Sequence, residues 1–395
     1  MPLNLGGMEM ERSRISTVRR ISAVAIGVVL IGTLAAAPAV GVESSGSKVT
    51  VEEQLQTAIS SEVEHRNAQA LSPSSPQLLD LSKATAFRTS AQAKKVAGED
   101  AQLRAQRDLL SRFDEAFTNF SSSVALDSVS SNGTSSTVQF TETTMMQRTA
   151  DSSGQARPDY GYVFHATAVL QKEGGSWLIA SVSHDAANTD LPETVLPSQA
   201  VLAARADGSI EKMLNKQKAD VALRKSARSM GTQSLGANRA AVVDYAMKYW
   251  QQHNPAYRSI PDNCTNFVSQ ALSAGGWSQT GGLVYTSNSE WWYNGLLPVQ
   301  TYTWVNAEDL YQFGFFNSNR FVMNQYPEPY LAGDIAFFQW HTELSDKMDH
   351  AAVLTFVDAS GMPYFTENTN DHVNKSVVAM MAGYEITGNW EAFDI

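Results

Sequence analysis

One cysteine, Cys264, stands in a chain of 395 residues. No disulfide can therefore form within the chain, and no multi-cysteine zinc site. The fold must rest on buried apolar surface, and the 43% apolar fraction is enough to supply it and to exclude wholesale disorder. At about 100–200 residues per domain, this length allows two or three domains. Charged residues make up only 17% and the net charge is −11. That balance excludes a general nucleic-acid binder, which needs a basic footprint.

The first 39 residues read as an export signal. Arg12, Arg14, Arg19 and Arg20 form a positive region, Ile21–Leu34 an uncharged apolar run, and Ala35–Ala39 offers small-residue cleavage sites. The run of about 14–17 residues is shorter than the ~20 of a spanning helix. The expected product is secreted or wall-associated and leaves the membrane once cleaved. In an oxidising exterior a retained free thiol needs a reason, either reactivity or inert burial.

Residues 40–75 are polar, with one helix expected around Val51–Ala68. Leu103, Leu110, Phe113, Phe117 and Phe120 then follow helical spacing and predict one long helix. After Asn132-Gly133 the period changes to two. Val138 and Phe140, Tyr162–Leu170 and Trp177–Val182 read as strands, with Lys172–Ser176 as a hairpin turn. Residues 76–190 are thus expected to form a small α+β domain, weakly similar in element order to the nuclear-transport-factor-like cone. They carry no nucleophile beside a base, so a role in positioning or wall association is expected of them, with residues 237–395 sufficient for chemistry. Residues 191–236, Pro- and Ser/Gly-containing, read as a linker, and residues 237–395 as a separate aromatic-rich domain.

In that last segment, Asp262 or Asn263 caps a helix that Gly275 ends, with Phe267, Val268, Ala271 and Leu272 on one face. Cys264 then falls in the first turn. Free amides and the helix dipole favour negative charge there, so the thiol is stabilised as thiolate and the same amides suit an oxyanion. The polar neighbours Asn263, Thr265 and Asn266 argue against full burial. A cysteine nucleophile needs a base. His350 opens an apolar strand, Ala351–Val357, that turns at Asp358–Gly361 into a second strand, Pro363–Asn368, and Gly333-Asp334-Ile335 enters the same sheet. Asn368, Glu367 and Thr366 are the candidates to orient the imidazole. Of the other histidines, His341 lies near a groove, His372 in a polar loop and His253 at a helix end. Without a His-x-x-x-His pair or second cysteine, no metal site and no cofactor is expected.

Several of these stretches occur together in one known family. They are Lys248-Tyr249-Trp250, Asn254–Tyr257, Cys264–Leu272, Gly275-Gly276-Trp277, Gly333-Asp334-Ile335 and Asp349-His350-Ala351. Residues 238–394 resemble the putative amidase domain family of secreted Gram-positive proteins, a branch of the NlpC-like, papain-fold cysteine hydrolases. The resemblance implies an α+β fold with a helix packed on an antiparallel sheet, Cys264 as nucleophile and His350 as base. It places Asn368 where the family's third polar residue stands, most often a histidine. Asn263 departs from the aspartate usual before the cysteine. It also implies an amide or peptide bond of the cell wall as substrate. Asn263 and Asn266 beside the thiol, and Trp291 and Trp340 among the aromatics, are the candidate substrate contacts. A non-catalytic wall-binding module and an acyl transferase are the rival readings.

Overall fold

The computed structural model describes residues 49–78, 87–151, 154–184, 237–323, 330–339, 347–369, 371–383 and 389–395. The export segment, the linker 191–236, Trp340 and His341 lie outside the described residues.

Helix α1 (Val51–Ala68) begins at Thr50, whose hydroxyl accepts from the Glu53 amide at 3.2 Å. The Glu53 carboxylate accepts in return from the Thr50 amide at 2.7 Å. This reciprocal cap satisfies amides the helix cannot, for about 1 kcal/mol. Leu55, Ile59 and Val63 pack against Val138, Phe140, Ala168 and Ile179, so α1 is fully part of a core.

Helix α2 (Ser90–Ser111) is shorter than its apolar stripe suggested. Asp114 adopts a left-handed φ of 65° and strand β1 (Phe117–Ser131) begins just after it. Phe117 and Phe120 both face one core because the β1 ladder shifts register between Phe117 and Asn119. A bulge of this kind returns residues three apart to one face and so imitates a helical period.

Strands β2 (Ser135–Arg148), β3 (Tyr160–Glu173) and β4 (Ser176–His184) continue the meander. Gly174 and Gly175, at φ 58° and 91°, make the two-residue turn between the last two. Helices α3 (Arg239–Tyr249) and α4 (Cys264–Ala274) follow, then the short α5 (Tyr302–Val305) and α6 (Ala307–Tyr311). The chain finishes with β5 (Val322–Met323), β6 (Ile335–Gln339), β7 (His350–Val357), β8 (Pro363–Glu367), β9 (His372–Ser376), α7 (Val377–Gly383) and β10 (Asn389–Asp394).

The class is α+β. Among the described residues, one antiparallel 10-stranded sheet runs in the order β1-β2-β3-β9-β8-β7-β6-β10-β5, with β4 also paired to β3. Gly161 and Tyr162 of β3 pair with Val373 and His372 of β9, which joins the two halves of the chain. Gly161 permits the join: a Cβ there would lie 2.5 Å from Met145 Sδ and 2.7 Å from Val373 Cγ1.

Strands β6 and β7 are covered on both faces. Ile335, Phe337, Ala351 and Val353 pack with Val242, Phe267, Val268 and Leu272 of α3 and α4. Ala336, Phe338, Ala352 and Leu354 pack with Val378, Met380 and Ala382 of α7 and with Leu109 and Leu110 of α2. Burial on both faces explains why β7 reads as a continuous apolar run. No helix of the described residues is long and apolar enough to cross a membrane.

Candidate active site

Cys264 is the first residue of α4, and Asn263 precedes it as the cap residue. The Asn263 side chain makes no capping bond to the helix. Its amide instead donates to Asn368 Oδ1, and its carbonyl accepts from Asn266 Nδ2 at 2.7 Å. Every residue from Cys264 to Leu272 is buried, the polar ones included. Asn266 also donates to the Arg258 carbonyl at 2.9 Å and accepts from Trp304 Nε1 at 2.9 Å. Ser269 accepts from Trp291 Nε1 at 3.1 Å. The polar residues around the thiol therefore did not signal exposure, since internal partners satisfy them. Cys264 itself is 6% exposed.

His350 opens β7, and its side chain hydrogen-bonds the Cys264 thiol. The two meet at the end of the sheet, since each is the first residue of its element. His350 Nε2 is held by Glu367 Oε2, and Glu367 Oε1 lies 3.5 Å from His372 Nδ1. His372 is the first residue of β9 and fully buried, not in a loop. Its ring stacks on Tyr160 of β3, with centroids 5.7 Å apart and planes 11° from parallel.

Strand alternation decides which residue meets His350. Val353 pairs with Thr366 and Leu354 with Phe365. Continuing that register sets Glu367 opposite Ala352, on the face His350 shares by alternation. Asn368 and Thr366 fall on the other face. Thr366 bonds the Thr355 hydroxyl at 2.8 Å. Asn368 donates to the Trp250 carbonyl at 3.2 Å and to Asp371 Oδ1 at 2.7 Å. Glu367 thus takes the orienting position expected of Asn368, which braces Asn263 before the thiol.

The charges support one another. Burial opposes charge on His350, but the Glu367 carboxylate and the Cys264 sulfur outweigh it and hold the imidazole well above its ordinary pKa. Burial pushes the Cys264 thiol up, and the His350 charge and hydrogen bond, with help from the Thr265 hydroxyl and the Ala351 amide, bring it below its ordinary value. At Glu367 burial is likewise outweighed, by the charge and hydrogen bond of His350 and the charge of His372, so the carboxylate stays below its usual range. Each of the three groups is thus shifted toward its charged form by its neighbour in the row.

Residues 236–389 match the family model described as "Putative amidase domain". That match points to a hydrolase acting on amides. An uncharacterized protein of Bacillus subtilis (strain 168), YhbB, is 31% identical over 137 residues, which cover 34% of this chain and 42% of that relative. The chain therefore spans less than half the length of this relative. Among solved structures, the Kfla4162 protein from Kribbella flavida matches at 16% identity and a TM-score of 0.18, over 22% of this chain and 55% of its own. The intermembrane space region of the chloroplast protein ARC6 matches at 13% identity and 0.21, over 33% and 92%.

The remaining candidates are engaged in packing and hydrogen bonds of their own. Asn263 and Asn266, at the start of α4, are buried and hydrogen-bonded to each other. Trp291 is fully buried between Trp277, with ring centroids 5.6 Å away, and Trp304 at 4.5 Å, so it is core and lines no groove. Among the described residues no group of three His, Cys, Asp or Glu side chains is disposed to hold a metal.

Proposed function

We propose that the chain is an exported cysteine-dependent amide hydrolase, with Cys264 as nucleophile, His350 as acid and base, and Glu367 as the residue that orients the imidazole. The observation that carries this reading is the hydrogen-bonded row Cys264–His350–Glu367, in which the thiol is shifted toward thiolate and the imidazole toward imidazolium. In this mechanism the Cys264 thiolate attacks the amide carbonyl carbon. The oxyanion that forms is held by amides of the first turn of α4, which the Asn263 side chain leaves uncapped. As the C–N bond breaks, His350 gives its proton to the leaving amine, and the acyl group remains as a thioester on Cys264. Water then adds to the thioester while His350 takes its proton, and the carboxylic acid departs. Glu367 keeps Nε2 occupied throughout, so the other ring nitrogen stays on the thiol side.

The wider assignment follows from the same reading. A helix that carries the nucleophile and packs on an antiparallel sheet that carries the base corresponds to a papain-like arrangement, and the meander of β1–β4 against α1 and α2 to a cone. The export-type N-terminus and the resemblance of residues 238–394 to secreted wall hydrolases favour a cell-wall peptide or amide as substrate. The test is mass spectrometry of purified wall fragments after incubation with the protein. New amine and carboxylate ends with wild type, and none with Cys264→Ala, are expected. Undiminished turnover by Cys264→Ala would remove the thiol from the mechanism.

A further inference from the structure

A cavity of about 640 Å³ lies between α1, α2 and strands β2–β4, within the range of roughly 300–1,000 Å³ usual for sites of small organic ligands. Phe140 of β2 and Tyr160, Tyr162 and Phe164 of β3 give it an aromatic side, faced by Val63 of α1 and Val96 of α2. None of Cys264, His350 and Glu367 lines it.

Charge in the wall is matched from within. Glu62 pairs with Arg88 at 2.5 Å, Asp100 with His65 at 2.8 Å, Glu99 with Lys95 at 3.6 Å and Arg66 with Glu142 at 2.5 Å. Burial pushes Lys375, on β9, down to about 7, toward its neutral form. A charged ligand would lose its hydration to enter a wall in which these pairs are already formed. Two uncharged polar groups are placed differently. Gln92, in the first turn of α2, is 4% exposed and lines the cavity, and its side-chain amide has no hydrogen-bond partner among the described residues. His184 ends β4, with its ring edge-on to Phe164 at 5.4 Å between centroids. Its Nε2 lies 2.8 Å from Arg66 Nη1. A guanidinium only donates, so Nε2 accepts and the hydrogen of the neutral ring sits on Nδ1. Burial and the Arg66 charge push this imidazole down to about 4, which keeps it neutral at ordinary pH. Nδ1 has no partner among the described residues. Polar groups held in this way beside an apolar space gain a hydrogen bond from an acceptor that enters it.

We propose that this cavity binds an uncharged, largely apolar molecule that carries a carbonyl group, with the carbonyl oxygen accepting from His184 or Gln92 and the apolar body lying over Phe140, Tyr162 and Phe164. The body replaces water on the aromatic side, which is the favourable part of its binding. The carbonyl gives orientation, and the absence of charge spares the cost of stripping an ion of its water. The site stands whether or not Cys264 is a nucleophile.

Equilibrium dialysis of the full chain decides the matter with four probes built on one ring system: 2-acetylnaphthalene, 2-ethylnaphthalene, 2-naphthoate and 2-naphthylmethylammonium. The ketone is expected to saturate at one per chain, at least tenfold more tightly than either ion and at least threefold more tightly than the hydrocarbon. The double variant Gln92→Leu with His184→Phe keeps the bulk of both side chains and removes both donors. It should abolish the preference for ketone over hydrocarbon and leave the hydrocarbon within twofold of wild type. Val182→Trp, which fills the cavity from β4 without changing charge, should weaken both neutral probes at least tenfold. Absence of saturable ketone binding, equal affinity for either ion, a ketone preference kept in the double variant, or undiminished binding in Val182→Trp would each overturn the proposal. Should the double variant fail to fold, the four probes on wild type and the Val182→Trp variant still decide it.

Discussion

The Glu367 carboxylate reaches His350 from the neighbouring strand, on the diagonal of the β7–β8 ladder, with its second oxygen turned toward His372. A carboxylate held between two imidazoles is fixed in direction and in charge, and so is the ring it holds.

The reactivity of the thiol follows from this arrangement. Because His350 keeps Cys264 below its ordinary pKa, carbamidomethylation by iodoacetamide at pH 6 should be faster than that of a free thiol of pKa ~8.5, which barely reacts there. The sign for turnover is set by both partners. Activity should rise as pH passes the lowered thiol pKa and fall as pH passes the raised His350 pKa, because the proton donor for the leaving amine is then lost. His350→Ala should slow labelling at pH 6 and lower kcat by roughly 10²–10⁴-fold. Labelling at pH 6 that is unchanged in this variant would show that His350 does not hold the thiolate.

Glu367 and Asn368 are adjacent in sequence but separate in role. Glu367→Gln keeps the shape and removes the charge, so kcat should fall by roughly 10²-fold or more. Asn368→Ala removes a brace on Asn263 and should act mainly on melting temperature, by an amount equivalent to about 1–3 kcal/mol for buried groups left unpaired. Steady-state kinetics and thermal melts on both variants separate the two effects. A larger kcat loss in Asn368→Ala than in Glu367→Gln would reverse the assignment.

His372 acts through Glu367. His372→Phe preserves a ring to stack on Tyr160 but removes the ring nitrogen 3.5 Å from Glu367 Oε1. The expected result is a fall in kcat of about 3–10-fold, the kinetic equivalent of about 1 kcal/mol, with KM unchanged. Without His372 beside it, Glu367 gains a proton at higher pH, which weakens its hold on the His350 imidazolium and so that ring's hold on the thiol, and the acid limb of the pH–rate profile should move upward. An altered KM with an unmoved profile would point to a purely structural residue.

The two halves of the chain should not separate cleanly. Gly161→Val places methyl groups where Met145, Val373 and Trp250 already stand, at a cost of about 1–3 kcal/mol. Residues 237–395 alone would lose the β3 partner of β9 and the Leu109 and Leu110 cover on β6 and β7. That fragment is expected to melt without a cooperative transition and to bind hydrophobic dye, in contrast to the self-sufficiency its sequence suggests. A sharp melt of the fragment by calorimetry would show that the shared sheet is dispensable.

Local chemistry was legible in the residues themselves. Gly174-Gly175 and the Asp358–Gly361 turn each act over a few positions, so the β3–β4 hairpin and the β7–β8 hairpin could be placed from composition and period. The start of α4 at Cys264 fell where the sequence put it, although the Asn263 side chain bonds Asn368 and not the helix as a cap would. The end of α2 was not, because a bulge in β1 gave Phe117 and Phe120 a helical spacing. Tertiary structure alone decided the third residue of the row, since a one-residue step along a strand changes its face and only the β7–β8 register places Glu367 beside His350. It also decided the burial of His372, whose covering rings come from β3, far away in the chain. Contacts of that kind depend on which distant strands pair, and no short window of sequence contains both partners.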